Sequence, residues 1–205
     1  MTSILVDTPP ETLVVGGEEY EINSDFRFAL SAILAFEDPE LTLGEKNSVV
    51  LQNIFGESLE RIPEDSIEEA IDQCRWFMDG GHPSEPGEQS SGSRVYALSH
   101  DEMLIFAAFQ STHGIDLSNS HLHWWRFLSL FMDLGQDTAF CQLVALRKRD
   151  QEGKLSKEEQ IAVRAMGSLF RLPRMTDEFT SEEQAILDRV NRDYETAKAA
   201  RKRGK

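Results

Sequence analysis

The sequence predicts a mainly α protein, a helical bundle of about six to seven helices carrying a small N-terminal β-hairpin. Three observations predict it. Apolar residues recur at helical spacing through most of the chain, helix-start signatures precede several of these runs, and two short strand-like segments flank a Gly-Gly pair. With 205 residues, 40% of them hydrophobic and including 12 Phe and 3 Trp, the chain can bury a sizeable core.

The hairpin is read from Leu13-Val14-Val15 and Glu19-Tyr20-Glu21-Ile22 around Gly16-Gly17, a pair able to take the positive φ angles of a tight turn. Two strands alone are marginal, so the hairpin must lean on helices. Ser24 or Asp25 caps a first helix with Phe26, Leu30, Ile33 and Leu34 on one stripe, ending before Pro39. A second helix runs over 43–55 and closes at Gly56. A third begins after Pro63, carries Ile67, Ile71, Cys74 and Met78 on one face, and stops at Gly80-Gly81.

The Gly-, Ser- and Pro-rich stretch at 80–94 reads as a flexible loop between an acidic part, 1–79, and an apolar helical core, 95–173. Ser99-His100-Asp101-Glu102 fits a capping box. It opens a helix over 100–113 that is apolar on most sides, which places it at the centre of the bundle. Helices over 121–134 and 138–150 follow, the second ending in Arg147-Lys148-Arg149, basic residues suited to the negative end of a helix dipole. Ser156-Lys157-Glu158-Glu159 is another capping box, opening a helix to about 170. Residues 174–205 read as a charged C-terminal helix with a thin stripe of Ile186, Val190, Tyr194 and Ala197 and a basic end.

The net charge of −15 is uneven. Residues 1–90 hold 20 acidic and 4 basic residues, 91–175 hold 9 and 10, and 176–205 hold 7 of each. Such a field disfavours nucleic acid and anionic membranes, since phosphate contacts need Lys and Arg. Neither a secretory leader nor a membrane anchor is legible. Cys74 and Cys141, without metal-type spacing, read as thiols of a reducing cytoplasm.

Phosphate-loop, dinucleotide, nucleophile-elbow and zinc-protease motifs are missing from the sequence, and the paired acids fall at helix starts or on polar faces. The expectation is therefore no catalytic residue, no cofactor and no metal. His113, His121 and His123 are the one set that a metal-dependent reading would use. Side chains two apart on a helix point about 200° away from each other, so His121 and His123 share a face only if the helix begins after them.

The most informative segment is His123-Trp124-Trp125-Arg126-Phe127-Leu128-Ser129-Leu130-Phe131. Trp124, Phe127, Leu128 and Phe131 sit at i, i+3, i+4 and i+7 and form one apolar stripe, which Trp125 widens. Adjacent Trp residues on a helix point about 100° apart. Either both indoles are core, or one lies at an edge where an aromatic anchor can hold a partner. Trp124, Trp125, Phe127 and Phe131 are the candidate partner-binding residues, at the working face or supporting it.

This segment, together with Phe106-Ala107-Ala108-Phe109, Gly114-Ile115-Asp116-Leu117, Leu134, Leu146-Arg147 and the opening Tyr20-Glu21-Ile22-Asn23-Ser24-Asp25-Phe26-Arg27, resembles the phage "gene product fifteen" tail-gene family over roughly residues 13–170. The resemblance implies a non-enzymatic tail-assembly chaperone of long-tailed phages. Such a chaperone binds the tape-measure protein, helps recruit the major tail-tube protein, works in the host bacterial cytoplasm and is absent from the mature virion. Self-association, as a homo-oligomer, is compatible with that role. The competing readings are a structural tail-completion component of the virion and an acidic inhibitor that mimics DNA.

Overall fold

The computed structural model describes residues 6–82 and 94–173. The greater part of the expected flexible loop, and the charged C-terminal helix expected at 174–205, lie outside the described residues. What is described is mainly α, seven α-helices and one hairpin.

Strands β1 (Thr12–Val15) and β2 (Glu18–Glu21) pair antiparallel with Leu13 opposite Tyr20 and Val15 opposite Glu18. Gly16 and Gly17 take φ of 61° and 83°, the doubly positive turn that matches strand twist and that side chains resist. Leu13, Val15 and Tyr20 point into the core, while Val14 faces out. The hairpin leans on a helix, as two strands must: the Gly16 N–H donates to Glu69 Oε2 at 3.0 Å.

Helix α1 (Phe26–Glu37) starts at Asp25, whose side chain accepts from the Arg27 N–H and also holds the Arg27 guanidinium at 3.1 Å. Its buried stripe is Phe26, Ala29, Ala32 and Ala35, not the bulkier row read from the sequence. Leu30 and Ile33 are half-buried and Leu34 is exposed. The reason is packing distance. An alanine face lets α1 lie close on the helices it packs against, Leu43–Phe55, Leu98–His113 and Trp124–Met132, and the bulky residues are turned sideways and outward. Helix α2 (Leu43–Phe55) begins with a capping box from Thr42 and Glu45 and closes at Gly56. Helix α3 (Ile67–Met78) buries Ala70, Cys74 and Phe77 and ends at Gly80 and Gly81, both at positive φ.

Helix α4 (Leu98–His113) starts differently from expectation. The Ser99 capping box does not form, because the helix has already begun at Leu98 and Ala97 offers no side-chain cap. Its free N–H groups are satisfied from elsewhere. Glu37, the last residue of α1, accepts from the Leu98 and Ser99 N–H groups at 2.9 and 3.0 Å and from Ser99 Oγ at 2.6 Å, while Asp101 Oδ2 accepts from the Ala97 N–H. A carboxylate at a helix N-terminus also meets the positive end of the dipole. Replacing Glu37 with Ala is expected to lower unfolding stability by about 1–2 kcal/mol, the range of a lost N-cap, as read by urea titration.

Helices α5 (Trp124–Met132) and α6 (Ala139–Gln151) follow. Helix α7 (Lys157–Met166) opens on the Ser156–Glu159 capping box and continues into one 3-10 turn, Gly167–Leu169. One apolar cluster runs from Leu13 through α1, α2, α3, α4 and α5 to Phe140, so the acidic N-terminal part and the apolar C-terminal part share a core. Leu143, Leu146 and Phe170 form a smaller cluster beside it.

Candidate functional site

The His-Trp-Trp segment enters its helix through His123. Its Nδ1 accepts from the Trp125 N–H at 3.0 Å, so Nε2 carries the proton and donates to the Pro10 carbonyl at 3.0 Å. The ring is thereby held as one neutral tautomer and joins the N-terminal segment to α5. The helix does begin after His121 and His123, yet the histidines are not gathered. His121 lies against Asp25 and His113 against the Leu130 carbonyl. Among the described residues, no group of three or more His, Cys, Asp and Glu side chains could hold a metal ion.

The two indoles are both core: Trp124 is 2% exposed and Trp125 3%. Of the two arrangements open to adjacent Trp residues, the structure takes the one with neither ring at an edge. Their N–H groups converge on one helix end. Trp124 Nε1 donates to the Met78 carbonyl at 2.9 Å, and Trp125 Nε1 donates to the Phe77 carbonyl at 2.8 Å. The last carbonyls of α3 have no partner within their own helix, and the indoles add a donor to each, at Phe77 beside the Gly80 N–H. Gly81 passes so close that a Cβ there would lie 2.6 Å from the Trp125 ring.

Phe127 sits at the centre of an aromatic stack. Its ring centroid lies 4.9 Å from Phe26, 4.9 Å from Phe109, 5.5 Å from Trp124 and 6.1 Å from Phe131, all near-parallel. Phe131, half-buried, passes the stack on to Phe140 and Tyr96. The structure therefore brings the four sequence candidates together as a framework. Three are buried and the fourth is half-buried, so they support a surface from beneath.

Sequence reasoning missed the main polar feature of the interior. Arg147 is not part of an exposed basic helix end. It points inward and holds both Asp101 oxygens at 2.7 and 2.9 Å, in the forked geometry that guanidinium and carboxylate share. Its remaining N–H groups donate to the carbonyls of Val95, Leu169 and Phe170. All five donors of the guanidinium are thus used. Arg149, two positions on, pairs instead with Glu159 of α7.

The surface feature with functional content is the outward side of α4. The middle of this helix, from Met103 to Phe109, is apolar at every position, but only Asp101, Ile105, Ala108 and Phe109 of the helix are buried. Met103 is 74% exposed and Phe106 38%, and Leu34 of α1, 40% exposed, borders the same groove as Phe106. Between α1 and α4 lies an apolar groove of about 260 Å³. Leu30, Leu34, Leu98, Phe106 and Leu117 line it, and Phe26, Ile105 and Phe127 form its floor. The sequence candidate Phe127 therefore reaches the surface only as the bottom of this groove. Glu102 is the charged residue on its α4 side.

Nucleophilic chemistry finds little support in the thiols. Burial pushes the Cys74 thiol up to about 12, so it stays protonated, and Cys141 Sγ–H donates to the Leu134 carbonyl. No helix of the described residues is long and apolar enough to cross a membrane.

Comparison with known proteins bears on this site through the family alone. The family model described as "Bacteriophage Gp15 protein" matches residues 5–172. Neither the curated proteins nor the solved structures offer a match.

Proposed function

Because the chain belongs to the bacteriophage Gp15 protein family, we propose that it is a non-enzymatic tail-assembly chaperone that holds apolar helical segments of the tape-measure protein in the groove between α1 and α4. The observation that carries this reading is the uncovered apolar side of α4. Met103, Phe106 and Leu34 are large apolar residues held outward by rigid helices, and a groove with an aromatic floor runs beside them. Contiguous exposed apolar surface of this kind marks interaction sites. A groove between two helices fits the apolar face of a third, read at i, i+3, i+4 and i+7 positions.

The strongly acidic N-terminal part complements this role. Residues 6–82 carry 18 acidic and 4 basic residues, a charge that keeps a complex with an aggregation-prone chain in solution. On this reading the protein acts in the host bacterial cytoplasm, recruits tail-tube subunits to the coated chain and leaves before the virion matures. Co-expression with the tape-measure protein tests it. The expected result is a soluble complex that affinity purification recovers, while purified virions lack this chain. Tape-measure protein that is equally soluble without it sinks the reading, and a fixed copy number in virions points instead to a structural tail-completion component.

A further inference from the structure

Helix α7 carries a second apolar surface that does not line the groove between α1 and α4. None of its ten residues is buried, and Ile161 is 67% exposed. A ten-residue helix is marginal in water on its own. What holds α7 is its capping box, the Arg149–Glu159 pair and the packing of Val163 and Leu155 on the small cluster of Leu143, Leu146 and Phe170. Its outward side gains nothing from these contacts. That side carries Ile161, Ala162, Ala165 and Met166, and Leu169 of the following turn extends it. Met166 and Leu169 in turn border an apolar groove of about 480 Å³ along α6, with Leu104, Ala139 and Leu143.

The charge around this surface is opposite to that of the acidic N-terminal part. Lys157, Ile161 and Arg164 stand at i, i+4 and i+7, so two basic groups flank the apolar stripe on one side, against one acidic group, Glu158, at the N-terminal end of the stripe itself. Among the described residues neither Lys157 nor Arg164 forms an ion pair. Residues 142–171 hold 7 basic and 4 acidic residues, against 4 and 18 in residues 6–82, and with the buried Arg147 set aside, since Asp101 neutralises it, 6 and 4 remain. An acidic ligand is repelled by the N-terminal part and drawn to this face, which is how complementary potentials select a partner and a register.

We propose that the outward face of α7 with the adjoining α6 groove is a docking site for an acidic amphipathic helix of a partner protein. Apolar contact with Ile161, Met166 and Leu169 supplies the attraction, and Lys157 and Arg164 set its sign preference.

The test uses the full chain and two synthetic helical peptides with the same leucine face, one flanked by Glu and the other by Lys, titrated by fluorescence anisotropy. The Glu peptide is expected to bind, and more weakly as salt is raised, because exposed charges are screened. Ile161→Glu and the double variant Lys157→Glu/Arg164→Glu are each expected to weaken it at least about tenfold, the scale of losing a contact that matters at an interface. The double variant leaves the Lys peptide no weaker. All three positions are exposed, so circular dichroism should show unchanged folding. The proposal is overturned if the parent fails to bind the Glu peptide, or if the variants bind it as well as the parent does. It is also overturned if sedimentation shows the parent self-associating through this face, with Ile161→Glu dissociating it, since the occupant is then a second copy. Loss of tape-measure binding leaves each of these outcomes unaffected, so the two sites stand or fall separately.

Discussion

Arg147→Met is expected to destabilise the protein by about 3–5 kcal/mol, the cost of leaving one partner of a buried ion pair without the other. Asp101 is fully enclosed and would be left without its counterion, while the Val95, Leu169 and Phe170 carbonyls would lose their donor. Arg147→Lys should rescue little, because an ammonium has three donors and no fork to match the carboxylate. The double variant Asp101→Leu/Arg147→Met should recover part of the loss, since a matched apolar pair removes the stranded charge but not the three unpartnered carbonyls. Urea titrations of the four proteins in a double-mutant cycle measure this. A single-variant loss under about 1 kcal/mol means that water reaches Asp101 and the interior is not as described.

Phe127→Ala should cost a similar amount, about 3–5 kcal/mol, as a large cavity opens at the centre of the aromatic stack. Phe26, Phe109, Trp124 and Phe131 each lose a stacked neighbour, and the floor of the α1–α4 groove drops out. Phe127→Leu, which refills most of the volume, should cost clearly less. If thermal unfolding moves by only a degree or two for the Ala variant, the ring is not the centre of the core.

Both residues show where sequence reading succeeds and where it fails. Signals carried by neighbours along the chain were legible. The Gly16-Gly17 turn, the bounds of α2 at 43 and 55, and the Ser156–Glu159 capping box each depend on a few adjacent residues. The position of Phe127 on an apolar stripe was legible for the same reason. Interactions across the fold were not. The Asp101–Arg147 pair joins residues 46 apart, and the Glu37 cap of α4 joins residues 61 and 62 apart. Its immediate neighbours barely distinguish Arg147 from Lys148, which is exposed. Its one local hint was its place within an otherwise apolar helix face, after Leu143 and Leu146.

The Trp pair stays open in the sequence for a different reason. Periodicity fixes the angle between two neighbouring side chains but not what fills each direction. Both directions turned out to face the end of α3, whose terminal carbonyls accept from the two indoles. The surface that carries the functional argument, the outward side of α4, was legible only as excess hydrophobicity. A helix apolar on most sides was expected at the centre of the bundle, and its exposure appears only when its neighbours are placed.

The claim at the centre of this account is that an apolar helix of the tape-measure protein lies between α1 and α4. Hydrogen exchange read by mass spectrometry, with and without tape-measure protein, addresses it directly. Slowed exchange is expected in α1 and α4 (Phe26–Glu37 and Leu98–His113) with α3 unchanged, and Phe106→Glu should abolish that protection while leaving the free protein's own pattern intact. Protection of α3 instead, or protection that persists in Phe106→Glu, would contradict it.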